Sequence, residues 1–372
     1  MLNLKEKTQK EKNAKGITLV ALVVTIIILL ILAGITISSL TNTGLFAKAK
    51  EARDKTQNAA ENQAKTLNEY EDELNKYISG TPEKTKKLAD EVKVGDYVKY
   101  TPDTLNDEAL ATLKTNLNTY SGNSSSTVNP AIKRDNLNWR VLDVQNGQVR
   151  LISEVPTESK IELKGYNGYN NAVKLIDDAC STLYTNSKLA NKVQNLKIED
   201  ITKYMTTPPT LDTTEYSPTN KYYPEILLKE KGQTVNETTG TELDLSEQTE
   251  FINQTTKTQV SSWTLKTTYW NQSMNSTDSF TDSKYYELFI ENNGSNYSTY
   301  WMSSRCVDAS SNLASFIVRR VDSGDVDANV LCNSRDSKAS RDYAFRPVIT
   351  LNSNVQIVSG NGKAVEQAYV IK

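Results

Sequence analysis

Histidine is absent from all 372 residues. That absence removes Ser–His and Cys–His dyads, His-based zinc sites and His general bases together. The cysteines are three, Cys180, Cys306 and Cys332. Cys306 and Cys332 fall in neighbouring strand-like segments, which leaves two readings: a bridge formed outside a cell, or small buried thiols. Asp322, Asp325 and Asp327 in the run DSGDVDA have the flavour of a calcium loop. Calcium needs about six to eight oxygens and the EF-hand spacing is absent, whereas Asp, Ser and Gly are the residues a hairpin turn selects. Neither a metal nor a cofactor is therefore expected. Arg305, Arg319, Arg320, Arg335, Arg341 and Arg346 gather late in the chain beside Asp308, Asp336 and Asp342, which reads as internal ion pairing before it reads as a binding patch. Arg346, ahead of Pro347, is expected to be structural. Tyr285, Tyr286, Tyr297, Tyr300 and Trp301 lie close to Asn292, Asn293 and Asn296. Such a segment packs a core or stacks on sugar rings, with Tyr297, Tyr300 and Trp301 as the candidate ligand-binding residues.

The positioning elements begin with the N-terminus. Lys5, Lys7, Lys10, Lys12 and Lys15 face only Glu6 and Glu11 there, and residues 17–37 then run without a charge. At about 1.5 Å per residue such a helix crosses the ~30 Å hydrocarbon core of a bilayer. The lysines hold the N-terminal end in the cytoplasm, so the rest of the chain is expected outside. Abundant Thr, Asn and Ser beyond the span suit a water-exposed ectodomain. The net charge of −2, from 43 basic and 45 acidic residues, gives no sign of nucleic acid. A secretory signal peptide has a shorter apolar region closed by small residues, and no A-x-A pattern ends this one.

Residues 15–37, KGITLVALVVTIIILLILAGITI, resemble the leader junction and first helix of type IV pilins and type II secretion pseudopilins. The resemblance implies a prepilin leader at 1–16, cleaved by a prepilin peptidase between Gly16 and Ile17, with N-methylation of Ile17. It also implies that 17–37 stays on the mature protein as a transmembrane and assembly helix, packing with other pilin-like subunits. Two positions depart from the family pattern. Ile17 stands where Phe is usual, and Ala21 where a Glu is thought to pair with a neighbouring subunit's N-terminal amine. The second departure bears on assembly more than on cleavage.

Beyond the span, Thr41-Asn42-Thr43-Gly44 interrupts the helix. Leu45, Ala49, Ala52, Thr56, Ala59, Gln63, Leu67, Tyr70, Leu74 and Tyr77 then recur at steps of three and four, predicting an amphipathic stalk helix over 45–78. Gly80-Thr81-Pro82 ends it. A head domain is expected over 92–372. KVGDYVKY at 93–100 reads as strand, 103–118 as a short helix and 121–129 as a polar loop. NWRVLDVQNGQVRLIS at 138–153 is the clearest hairpin, because Asn146-Gly147 suits a type I′ turn. Helical spacing follows over 170–184 and again at 198–205. Residues 206–261 read as an irregular, partly mobile insertion. Strands 313–321 and 326–332 flank Asp322-Ser323-Gly324-Asp325, and FRPVITL closes the pattern.

The order GDYV, WRVLDV-NG-VRLIS, a helical middle, YWMSS and FRPVITL over 92–353 also resembles bacterial extracellular modules of the C-type-lectin-like and formylglycine-generating-enzyme folds. That resemblance implies a compact α+β core closed by the Arg-Pro strand and raises the sugar-stacking reading, but carries over no catalytic residue. The expected fold is thus α+β: a long N-terminal helix, broken at 41–44, and a β-rich head with short helices. The expected function is a pilus or pseudopilus subunit at the membrane and cell surface, displaying a head for adhesion to a glycan or protein, or for secretion. The alternatives are a membrane-anchored adhesin that never polymerises and, less favoured, an ectodomain enzyme.

Overall fold

The computed structural model describes residue 63 and residues 86–372, apart from 211–213, 228–247, 255, 260–263, 275, 291, 294–295 and 298, and without the side chains of 291–298. The chain divides into two compact units, Met1–Pro82 and Glu83–Lys372. The leader, the apolar run and the break at 41–44 lie outside the described residues, as does the stalk except for Gln63, which is helical and exposed. Among the described residues no helix is long and apolar enough to cross a membrane.

The second unit is a mixed α+β domain. The strands of its two large sheets are β1 (Tyr97–Lys99), β2 (Trp139–Gln145), β3 (Gln148–Ser153), β4 (Lys160–Lys164), β5 (Ala190–Asn195), β6 (Gln272–Ser273), β7 (Tyr300–Ala309), β8 (Ala314–Asp322), β9 (Asp325–Asn333), β10 (Ser340–Phe345), β11 (Pro347–Leu351), β12 (Ile357–Ser359) and β13 (Tyr369–Ile371), and short strand pairs form three further two-stranded sheets. One seven-stranded sheet has the order β12-β13-β1-β2-β3-β11-β5, and a six-stranded sheet the order β6-β9-β8-β7-β10-β4. Pairing is antiparallel except for β1 with β13 and β7 with β10. The helices are α1 (Leu88–Glu91), α2 (Asp107–Tyr120), α3 (Gly165–Tyr184), α4 (Ile198–Thr202) and α5 (Ser283–Phe289).

Local chemistry explains most of these elements. The β2–β3 turn places Asn146 at φ 51° and Gly147 at φ 75°, the left-handed pair that a type I′ hairpin requires. Ser323 and Gly324 repeat the device between β8 and β9 at φ 51° and 85°. Asn106 caps α2 by accepting from the Ala109 amide at 2.9 Å, which satisfies one of the first-turn donors. Gly122, at φ 84°, passes so close to β4 that a Cβ would sit 1.9 Å from the Lys164 carbonyl. That approach lets residues 121–133 cover the outer edge of β4. The Lys164 amide donates to Ser121 O at 2.8 Å, and the Asn129 side chain brackets Glu162, accepting from its amide and donating to its carbonyl. A sheet edge that would otherwise invite another chain is closed.

Both faces of the hairpin are buried. Val141 and Leu151 join the larger core with α3, Trp301, Phe316 and Phe345, while Leu142 and Ile152 join a second cluster with Leu288, Phe289, Tyr300 and Met302. The adjacent apolar pairs Val141-Leu142 and Leu151-Ile152 are the imprint of that two-sided burial. Helix α3 packs on α2 and on strands of both sheets, and most of its side chains are buried.

Where the seven-stranded sheet meets the six-stranded one, Arg346 is 0 % exposed. Its guanidinium donates to the carbonyls of Ser153, Glu154 and Phe289 at 2.8–3.2 Å, and lies 5.3 Å from the Tyr300 ring centre. Arg346 is therefore a staple between segments.

Three expectations need revision. Leu88 is fully buried in the main core, and Ile357 donates its amide to Lys86 O at 2.9 Å. The packed unit therefore begins ahead of residue 92. The polar strand β5 was not foreseen in the helical middle. It is an edge strand carrying Lys192 and Asn191 outward and Val193 inward, so it lacks an apolar alternation. The described parts of 206–261 are irregular but anchored, with Tyr223, Ile226 and Leu227 in the main core. Asparagines of α3 hold the segment 248–254. Asn171 donates to Ile252 O at 2.6 Å and accepts from Ile252 N at 2.8 Å; Asn167 and Asn170 bond Gln254. Side-chain amides here replace the ladder that a strand would have offered.

Candidate functional site

The residues singled out for binding are placed in the core. Tyr300 and Trp301 are 0 % exposed. The Tyr300 hydroxyl donates to Phe289 O at 2.7 Å, and the Trp301 indole N–H to Ile161 O at 2.9 Å. Neither ring can stack on a sugar, which corrects that expectation. Tyr297 belongs to the short strand Asn296–Tyr297, and its side chain lies outside the described set, as do Gly16 and Ile17. Cys306 and Cys332 are both buried and free. Cys306 pairs with Ile317 of β8, and Cys332 with Phe316 on the far side of that strand. Two strand spacings, about 10 Å, separate them, whereas a disulfide wants Cα atoms about 4.4–6.8 Å apart. The bridge is excluded in this fold, and burial pushes the Cys306 thiol up to about 11.

Asp322 and Asp327 both pair with Arg320, at 2.6 and 2.8 Å, so the acidic turn is neutralised from within its own hairpin. Among the described residues no group of three or more His, Cys, Asp or Glu side chains is arranged to hold a metal. Arg305 and Arg319 are buried as well, donating to the carbonyls of Asn170, Thr268 and Trp270.

One buried charge cluster has the composition of a catalytic centre. Arg150 makes a two-point contact with Asp143, at 2.8 and 2.5 Å, and reaches Asp200 at 2.5 Å. The Tyr204 hydroxyl also donates to Asp143, and Tyr204 stacks on Tyr285 with ring centres 3.8 Å apart. Burial alone would raise Asp143; the hydrogen bonds and charge of Arg150, with Tyr204 and Gln145, outweigh it and hold the carboxyl below its ordinary value. Burial, then the bond to Asp143, drives the Tyr204 phenol up, so it is no nucleophile. Asp200 Oδ2 is taken by the Lys197 amide. Every named partner is a protein group, and the cluster works as a strut tying α4 to the β2–β3 hairpin.

A different arrangement surrounds β1. This strand pairs with β2 at Tyr97–Arg140 and Val98–Trp139, and with β13 at Val98–Tyr369 and Lys99–Val370. Past Lys99 and ahead of Trp139 the two segments are no longer paired in the sheet. The splay opens a groove of about 410 Å³ lined by Tyr97, Lys99, Asn138, Glu366 and Val370. An adjoining groove of about 280 Å³ reaches Pro102, Arg134, Asp135 and Tyr184. Tyr100, Thr101, Asn136, Leu137 and Trp139 line both. Trp139 meets Tyr100 and Tyr184 edge to face, with centres 5.3 and 5.7 Å apart.

The fixed charges around these grooves are largely committed. Glu154 accepts from Tyr97 Oη at 2.5 Å and from Asn138 Nδ2 at 3.0 Å. Burial, with the bond to Glu154, raises the Tyr97 phenol. Asp135 accepts from the Ser159 amide at 2.9 Å. Arg134 donates to Leu183 O and, at 2.7 Å, to Asp103 O. Sequence reasoning did not single out the groove, because its walls come from three separate stretches, 97–101, 134–139 and 365–370. Compared with known proteins, the chain matches no family model, no curated protein and no solved structure.

Proposed function

We propose that this chain is a type IV pilin-like subunit, anchored by residues 17–37 and displaying the domain of residues 86–372 outside the cell. The observation that carries the reading is Lys15-Gly16 abutting the uncharged run 17–37 behind a lysine-rich leader. A second compact unit beginning at Glu83 is consistent with a displayed head. Display rather than catalysis is favoured by the absence of histidine and by the way Arg150, Asp143 and Asp200 consume one another. Partners on this reading are the membrane, a prepilin peptidase and other pilin-like subunits.

Mass spectrometry of the mature N-terminal peptide tests the proposal. The expected species begins at N-methylated Ile17, and Gly16→Arg blocks its formation, because the peptidase must accommodate a bare backbone there. Recovery of membrane-extracted protein with Met1 intact overturns it.

A second reading, an anchored adhesin that never polymerises, is favoured by Ala21. An intramembrane carboxylate is costly and kept for function, and Ala21 offers none. Cross-linking in intact cells separates the two: ladders of linked copies or of linked pilin-like partners support assembly, and a monomer alone supports the adhesin.

A further inference from the structure

We draw no further inference here: the strongest candidate, the outer edge of β5 flanked by the exposed Lys188 and Lys192, is partly closed by Asp177, which accepts from the Asn195 amide at 2.8 Å, and nothing in the structure shows what covers the remainder.

Discussion

Two aromatic regions of the head look alike in sequence and behave differently in the fold. The Tyr300-Trp301 pair opens β7, and Tyr97, Tyr100 and Trp139 gather where β1 and β2 splay. In the first, hydroxyl and indole both donate to main-chain carbonyls, and the rings vanish into the core. In the second, Trp139 is nearly as buried, but its N–H meets no acceptor among the described residues. Aromatic composition therefore does not locate a binding surface; the difference lies in whether the polar edge of each ring is satisfied from within. Burial of the ring and commitment of its N–H are separate properties.

That contrast can be broken most forcefully at the satisfied end. If interior polar groups are held by mutual commitment, Arg150→Met leaves Asp143 buried without its closest cation, with Lys203 remaining at 3.8 Å. The cost at neutral pH is expected to be about 3–5 kcal/mol, read as a lowered thermal midpoint of the full chain in detergent. The pH dependence gives the sign. Asp143 is held below its ordinary value, so it stabilises the wild-type fold above the unfolded carboxyl pKa of about 3.9. That contribution is lost as pH falls through the lower folded value. Without Arg150, burial dominates and raises the carboxyl, so the variant's deficit should narrow on acidification. A deficit independent of pH between 7 and 4 would show that the strut is not electrostatic.

A smaller effect is expected at the asparagine clamp. Asn171→Ala frees both the amide and the carbonyl of Ile252 while leaving α3 a good helix former. A loss of about 2 kcal/mol is expected, from unsatisfied groups in a part-buried position. Hydrogen exchange should rise at Ile252 and Gln254 before it rises in β2 or β3. Uniform loss of protection across the head would mean that segment 248–254 folds as one with the sheets.

Legibility in the sequence followed the range of the interactions. The β2–β3 hairpin was readable because Asn146-Gly147 encodes a left-handed turn by itself. The β8–β9 turn was readable from Asp322-Ser323-Gly324-Asp325 for the same reason. Helix α3 announced itself through the spacing of Ala172, Leu175, Ile176, Ala179 and Leu183. Segment 248–254 was not readable, because its partners are side chains of α3, more than seventy residues away in the chain. The polar edge strand β5 carried no alternation to detect. The two cysteines seemed placed to bridge because neighbouring strands were inferred without their order, and β8 intervenes. The groove was invisible for a further reason. Its walls come from separate stretches of chain, and no single run of residues spells them out.

The finest test of the contrast compares one substitution at two places. Trp301→Phe and Trp139→Phe remove the same volume from nearly fully buried positions, so their cavity costs are similar. They differ in what the indole N–H was doing. At position 301 the loss strands the Ile161 carbonyl in the core, which adds a penalty of about 1–2 kcal/mol. At position 139 no acceptor among the described residues is stranded, so that penalty is absent. Trp301→Phe should therefore be the less stable variant by about 1–2 kcal/mol, measured as a difference in urea midpoints of the full chain with the slope unchanged. Equal destabilisation would mean that the indole at 139 is engaged after all, and the distinction between the two regions would collapse.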